Sequence, residues 1–174
     1  FPTRRSSDLK VVPISVNLSR MHFVNSNFIE KFKLIVDKYK IPTRLIELEL
    51  TETAVLDNIE GLLDTMNNLK EKGFVISMDD FGTGYSSLNL LKELPVDILK
   101  LDRAFFTEKD ESNNEKIVIS NVIKMAKELK MKVISEGVET ISQVEFLKQI
   151  GCDMVQGYLF SKPMPVKEFE KIAF

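Results

Sequence analysis

The stretch Gly73–Asp102 reads GFVISMDDFGTGYSSLNLLKELPVDILKLD. It contains two short, mostly apolar runs, Phe74–Met78 and Asp97–Leu101. Nearly continuous apolar runs of this length are typical of strands that are buried on both faces of a parallel sheet. Acidic residues stand where both runs stop. The stretch therefore predicts parallel strands with polar groups at their carboxyl ends.

The same alternation of strand and helix patterns extends along the whole chain. Four segments between the strand-like runs place apolar residues three or four positions apart, as on one face of a helix. This order favours a parallel sheet with helices outside it, and both a barrel and an open doubly wound sheet fit. Polar residues at the strand ends favour a TIM-like (β/α)8 barrel, whose active sites lie there. The predicted strands are Val11–Val16, Leu45–Leu50, Phe74–Met78, Asp97–Leu101, Met131–Ser135 and Met154–Leu159.

Composition excludes several classes of protein. One Cys and one His among 174 residues exclude a disulfide within the chain and a Cys/His zinc site. A net charge of -2 offers no basic surface to duplex nucleic acid. No run approaches the roughly 18 apolar residues that a membrane helix needs. The length suits one domain, but it is shorter than the roughly 250 residues typical of a complete (β/α)8 barrel.

Polar residues stand at the end of nearly every predicted strand. Carboxylates that converge there repel one another, and divalent ions relieve the repulsion. Oxygen ligands of this kind suit Mg²⁺ or Mn²⁺, and the adjacent pair Asp79–Asp80 could serve two ions about 3.5–4 Å apart. For any single residue, the alternative is a solvated acid paired with a lysine. The set comprises Asn17, Glu49, Glu52, Asp79, Asp80, Lys100, Asp102, Glu136 and Gln156.

Five motifs, in order along the chain, closely resemble the EAL family of cyclic di-GMP phosphodiesterases. Together they span essentially all of the chain from Lys10 to Phe174. The resemblance implies a (β/α)8 barrel that hydrolyses cyclic di-GMP to linear pGpG with two Mg²⁺ or Mn²⁺ ions. The motifs are ISVNLS at Ile14–Ser19, ELTE at Glu49–Glu52, DDFGTGYSSLNLLKELPVDILKLDRAF at Asp79–Phe105, SEGVET at Ser135–Thr140 and GCDMVQGYLFSKP at Gly151–Pro163.

The resemblance implies roles for the residues at matching positions. Lys100 matches a lysine that holds the attacking water or the scissile phosphate. Glu136 matches a glutamate at the metal-bound water, which acts as a ligand or as the general base. Asp79 matches the residue that bridges the two metal ions. The implied metal ligands are Asn17, Glu49, Asp79 and Asp80.

Further positions are implied to shape the site. Glu52 matches the acid that anchors the loop after Asp80, and Gln156 matches a polar residue near the site. In the family, the loop matching Phe81–Ser87 contributes to metal binding, substrate binding and dimerisation. Glycines allow backbone angles in this loop that other residues avoid. The loop residues implied to line the site are Gly82, Thr83 and Gly84.

The chain departs from the family pattern at its beginning. The Glu-Ala-Leu motif that names the family, whose Glu completes the first metal site, does not occur in the sequence, and the arginine that follows it is absent. We interpret residues 1–9 as a translated sequencing-adapter oligonucleotide and residues 10–174 as an EAL-type domain fragment. The first strands are then missing. We expect an incomplete barrel of about six of the eight strand–helix units, with exposed edges and little or no activity by itself.

The sequence is compatible with three functions. The first is cyclic di-GMP hydrolysis by the intact parent protein. The second is a degenerate receptor that binds cyclic di-GMP without cleaving it, although such members usually lose metal ligands that are retained here. The third is an unrelated metal-dependent barrel enzyme of the enolase type, which would need a base such as Lys100 opposite the metal. The five motifs favour the first.

The resemblance also implies partners and a location. Beyond cyclic di-GMP, family members are often homodimers, and many are fused to sensory or cyclase domains. We expect a cytoplasmic domain whose parent could be tethered to a membrane. We expect neither a membrane segment in this chain nor binding to duplex nucleic acid.

Overall fold

The computed structural model describes residues 11–19, 22, 27–51, 59–82, 88–106 and 113–173. Within these residues, six strands form one parallel sheet with helices between them. The strands are β1 (Ile14–Asn17), β2 (Ile46–Thr51), β3 (Val75–Phe81), β4 (Ile98–Leu101), β5 (Lys132–Ser135) and β6 (Met154–Val155). The helices are α1 (Phe28–Lys38), α2 (Ile59–Glu71), α3 (Leu88–Glu93), α4 (Asn113–Glu128), α5 (Ile141–Gln149) and α6 (Val166–Ala173), with short 3₁₀ turns at Thr43–Leu45 and Arg103–Phe105.

The order of the strands separates the two architectures that the sequence left open. Every strand pairs in parallel with its successor along the chain, from β1 through β6. A doubly wound sheet reverses its strand order at a switch point, whereas a barrel winds in one direction. The sheet is therefore wound as in a (β/α)8 barrel. Among the described residues, β1 and β6 are its two edges.

All six predicted strands are confirmed, with three informative differences in length. The third predicted strand continues past Met78 to Phe81, so Asp79 and Asp80 lie within β3 and not after it. The first begins at Ile14 rather than at Val11, directly after Pro13, which has no N–H to donate to a neighbouring strand. The last ends at Val155 rather than at Leu159. It ends early because the chain turns there, and the Phe160 N–H donates to the Gly157 carbonyl at 3.1 Å.

The two faces of the sheet have different chemistry. Leu48, Met78 and Leu101 are at most 1% exposed and belong to the apolar core. Met66 of α2 and Ile123 of α4 are fully buried in the same core. Because side chains alternate along a strand, the residues between these apolar positions face the opposite side of the sheet. That face carries the polar side chains of the candidate site.

At two places, an Asp just before a strand makes the same pair of contacts, with a backbone N–H and with a lysine. Both lie at the end of the sheet opposite the predicted site. Asp97, just before β4, accepts from the Ile76 N–H at 3.0 Å and from Lys70 Nζ at 2.7 Å. Asp153, just before β6, accepts from the Val133 N–H at 2.7 Å and pairs with Lys127. Each carboxylate thus ties its strand to the preceding strand and to the helix before that one.

The loss of stability on replacing Asp153 should depend on whether the new side chain can still accept a hydrogen bond. Asp153→Ala loses both bonds and should cost about 2 kcal/mol, whereas Asp153→Asn keeps an acceptor for Val133 and should cost about 1 kcal/mol. Urea unfolding measures both, with Asp64→Ala on the exposed side of α2 as the control. An equal cost for the Ala and Asn variants would contradict this assignment.

The contribution of Asp153 should also depend on pH. Burial alone would raise the pKa of Asp153, but the hydrogen bonds from Lys127 and Val133 outweigh burial and hold the pKa below its usual value. A lowered pKa in the folded state gives stability that is present above the unfolded pKa, near 3.9, and is lost as pH falls through the folded pKa. The stability difference between wild type and Asp153→Asn should therefore shrink below about pH 4.

No helix within the described ranges combines the length and the apolar character needed to cross a membrane.

Candidate active site

Four predicted site residues meet at the carboxyl end of the sheet. Glu49 lies in β2, Asp79 in β3 and Lys100 in β4, and Glu136 directly follows β5. These residues come from four consecutive strands and lie on the face opposite the apolar core. Parallel strands bring their carboxyl ends to one edge, so residues that are far apart in sequence become neighbours.

Lys100 is the centre of this group. Its Nζ lies 2.6 Å from Glu49 Oε1, 3.0 Å from Asp79 Oδ1 and 2.8 Å from Glu136 Oε1. Lys100 is 6% exposed and Glu49 is 7% exposed, so bulk water screens these ion pairs only weakly. Three carboxylates face one ammonium, so the group has a net formal charge of -2 when all three are ionised. We call these four residues the Lys100 cluster.

Two contacts in the Lys100 cluster are ion pairs without good hydrogen-bond geometry. The Glu49 contact satisfies both criteria. Asp79 Oδ1 and Glu136 Oε1 lie close to Lys100 Nζ, yet both buried oxygens lack an aligned donor. Each of these oxygens lies within 3.0 Å of Lys100 Nζ, and a carboxylate oxygen can accept more than one contact.

The electrostatics of the Lys100 cluster shift several pKa values. Burial would lower the pKa of Lys100, but its contacts with Glu136, Glu49 and Asp79 outweigh burial and raise it, so Lys100 is a cation at neutral pH. Burial raises the pKa of Glu136, and only part of this rise is offset by Lys100. A carboxylate whose pKa moves toward neutrality is better suited to accept a proton from water.

Asp80 is placed by a β-bulge that sequence analysis did not predict. Met78 pairs with Leu99 and Phe81 with Leu101, so three steps along β3 oppose two along β4. Asp80 has a φ of 56°, in the left-handed region that Asp tolerates better than most residues. The extra residue interrupts the alternation of faces and leaves Asp80 partly exposed. Burial and the charge of Asp79 raise the pKa of Asp80.

Asn17 and Gln156 lie at the rim of this edge. Asn17 ends β1 in register with Glu49, and its side chain is exposed. Gln156 follows β6 and is also exposed, while its backbone N–H donates to the Ser135 carbonyl at 2.8 Å. The structure therefore brings both residues to the correct end of the sheet, but not into the ion pairs of Lys100.

The predicted loop is only partly described. Gly82 has a φ of +102°, and a Cβ there would lie 2.1 Å from the ring of Phe105, so the predicted need for glycine is confirmed at this position. Glu52, Thr83 and Gly84 lie outside the described residues, and their predicted roles remain predictions.

Sequence analysis placed Asp102 among the polar residues at strand ends without a specific role, and the structure connects it to the site. Its carboxylate accepts from the Ala104 N–H at 2.7 Å and caps the 3₁₀ turn that follows β4. Its charge also raises the pKa of Asp80. The signal was present in the sequence, because an Asp directly after a strand is a common cap for a short turn.

The donor chemistry of the Lys100 cluster fits a divalent cation. Within the described residues, no group of three or more acidic, His or Cys side chains converges in the manner of a metal site. Glu49, Asp79 and Glu136 each place one carboxylate oxygen within 3.0 Å of Lys100 Nζ. The excess of carboxylates over cations, and the buried Asp79 Oδ1 without an aligned donor, nevertheless match the oxygen ligands that Mg²⁺ and Mn²⁺ prefer. Glu49, Asp79 and Asp80 would hold such an ion, with Asn17 at the rim.

Comparison with known proteins decides the family. The sequence model of the EAL domain family matches residues 3–163. The chain belongs to the EAL domain family. The cyclic di-GMP phosphodiesterase NbdA of Pseudomonas aeruginosa is 37% identical over 158 residues, which are 91% of this EAL chain and 20% of NbdA. The chain spans between about a fifth and a third of the length of the curated relatives it matches.

Solved structures agree with the architecture of this EAL chain. The phosphodiesterase of Pseudomonas aeruginosa MucR, solved in complex with c-di-GMP, superposes with a TM-score of 0.82 at 35% identity and covers 90% of this chain and 64% of that one. The manganese/cy-diGMP complex of BlrP1 from Klebsiella pneumoniae superposes with a TM-score of 0.81 at 26% identity, covering 87% and 39% of the two chains. The described sheet is thus the curled, six-stranded part of a TIM-like barrel, as predicted.

Proposed function

We propose that this EAL protein hydrolyses one phosphodiester bond of cyclic di-GMP to give linear pGpG. The observation that carries the proposal is the Lys100 cluster, a buried ammonium among three carboxylates at the carboxyl end of a parallel sheet. A phosphodiester is anionic, and its transition state gains charge on the phosphoryl oxygens. A buried cation beside groups that accept protons suits this reaction.

Each residue of the site has a separate role in the proposed hydrolysis. Glu136 accepts a proton from the attacking water, whose oxygen forms a bond to phosphorus. The bond from phosphorus to the 3′ oxygen breaks, and that oxygen receives the proton. Lys100 faces the phosphoryl oxygens and offsets their charge. Divalent ions held by Asn17, Glu49, Asp79 and Asp80 would lower the pKa of bound water toward about 7.

The ions and partners are part of the same proposal. Structures similar to this chain were solved with manganese and with calcium, which supports a divalent metal. We propose two ions, Mg²⁺ or Mn²⁺, because Asp79 and Asp80 are adjacent acids at a bulge. A cytoplasmic location, a homodimer and fusion to sensory or cyclase domains belong to the proposal as expectations.

A turnover assay tests the proposed function. The 174-residue chain and the polypeptide encoded by its native gene are each incubated with cyclic di-GMP and either Mg²⁺ or Mn²⁺. The product pGpG is measured by chromatography. We expect chelator-sensitive hydrolysis by the native polypeptide, because the proposed water activation depends on a divalent ion. Hydrolysis that persists with a chelator would contradict the role of the metal.

The alternative function is a receptor that binds cyclic di-GMP without cleaving it. Calorimetry separates the two functions. Saturable binding of cyclic di-GMP by the native polypeptide, with no pGpG formed in either metal, would establish the receptor.

A further inference from the structure

The Lys100 ammonium occupies a position among carboxylates that a cation of any kind would favour. It contacts one oxygen each of Glu49, Asp79 and Glu136, at 2.6, 3.0 and 2.8 Å. Two of these acids, Glu49 and Asp79, are also the residues best placed to hold a divalent ion. One pair of carboxylates therefore serves two candidate cations.

Both cations cannot use these carboxylate oxygens fully at the same time. A divalent ion that binds Glu49 Oε1 and Asp79 Oδ1 would lie next to the ammonium, and like charges at such short distances in a weakly screened site repel strongly. Glu136 is different, because it can keep Lys100 without sharing its Oε1 with that ion. The low-energy response is for Lys100 to leave Glu49 and Asp79 and to retain Glu136.

We propose that Lys100 is an internal substitute for the divalent cation: it neutralises Glu49 and Asp79 until the ion binds, and the ion displaces it toward Glu136. This inference rests on the proposed metal-dependent function and deepens it. Metal binding then aligns the Lys100–Glu136 pair, since both groups become paired only with each other. Lys100 thereby lowers the affinity for metal while preventing repulsion among buried carboxylates.

A matched pair of variants tests the competition. Lys100→Met removes the ammonium and keeps an unbranched side chain. Lys70→Met removes another ammonium, which pairs with Asp97 at 2.7 Å at the opposite end of the strands. Mn²⁺ is titrated by calorimetry, without nucleotide, into chelator-treated wild type and both variants of the 174-residue chain.

We expect tighter Mn²⁺ binding only in Lys100→Met, the variant that lacks the Lys100 ammonium. Lys100→Met should bind Mn²⁺ about tenfold or more tightly than wild type, because a unit charge next to the ligands is removed, and Lys70→Met should equal wild type. Equal or weaker binding by Lys100→Met would overturn the inference, since Lys100 would then help to hold the ligands in place. Absence of Mn²⁺ binding in every protein would also overturn it.

A measurement on the wild type covers the case in which Lys100→Met does not fold. The Lys100 ammonium signal, assigned by comparison with Lys100→Arg, is followed by ¹H–¹⁵N NMR while Mg²⁺ is added. A signal that moves in step with Mg²⁺ binding supports displacement, and an unchanged signal during Mg²⁺ binding overturns it. Neither readout uses cyclic di-GMP, so failure of the turnover assay and failure of this inference are distinguishable.

Discussion

Asp79→Asn should abolish hydrolysis of cyclic di-GMP by the native polypeptide, with kcat/KM falling by at least about a hundredfold. Asp79 is the one acid that both faces Lys100, at 3.0 Å, and stands at the bulge beside Asp80. Asn has nearly the same shape but no charge, so the change removes the anionic ligand with little disturbance of packing. The loss is measured as pGpG formed per unit time at saturating Mg²⁺ or Mn²⁺.

Two controls make the loss of activity interpretable. Asp64→Asn changes an exposed acid on α2 and should leave turnover unchanged. The melting temperature of Asp79→Asn should stay close to that of wild type, because Lys100 keeps Glu49 and Glu136 as partners. If Asp79→Asn retained full turnover, the assignment of the metal ligands would be wrong.

Gly157→Ala should destabilise the fold by about 3 kcal/mol. A Cβ at this position would lie 2.1 Å from the Val138 carbonyl oxygen and 2.3 Å from the Val138 nitrogen. Both contacts are to backbone, so no side-chain rotation relieves them. Hydrogen bonds from Val138 N–H to Gln156 O, at 3.0 Å, and from Leu159 N–H to Val138 O, at 3.1 Å, hold the two segments together.

Gly151→Ala is the matched control for this prediction. Gly151 has a φ of +81°, but a Cβ there would meet nothing within 4 Å. Alanine at this site should therefore cost only the left-handed backbone penalty, about 1 kcal/mol. Urea unfolding compares the two variants. A cost for Gly157→Ala no greater than that for Gly151→Ala would show that the segments separate without loss of stability.

Much of the fold was predictable because its signals are local. The apolar runs around Ile76 and Leu99 predicted strands, and the acids at the strand ends predicted one shared edge. The helices α3 and α6 were not predicted. The six residues of Leu88–Glu93 are too short for a clear helical period. The period of α6 is visible in the sequence, because Val166, Phe169 and Ile172 are spaced three residues apart, but sequence analysis did not use it.

The bulge at Asp80 could not be predicted from β3 alone. It is a mismatch in pairing between β3 and β4, so it exists only once Phe81 has paired with Leu101. The pair Asp79–Asp80 was visible in the sequence. Its placement, with Asp79 in the Lys100 cluster and Asp80 partly exposed, depends on that mismatch.

The sequence by itself determined the alternation of strands and helices, the end of the sheet that carries the polar residues and the membership of Glu49, Asp79, Lys100 and Glu136 in one site. These follow from hydrophobic period and strand direction, which are properties of short segments. Only the tertiary structure decided that the strands wind in one direction and that Lys100 stands within 3.0 Å of all three carboxylates. Side chains from four strands meet at such distances only when the register and curvature of the whole sheet are set.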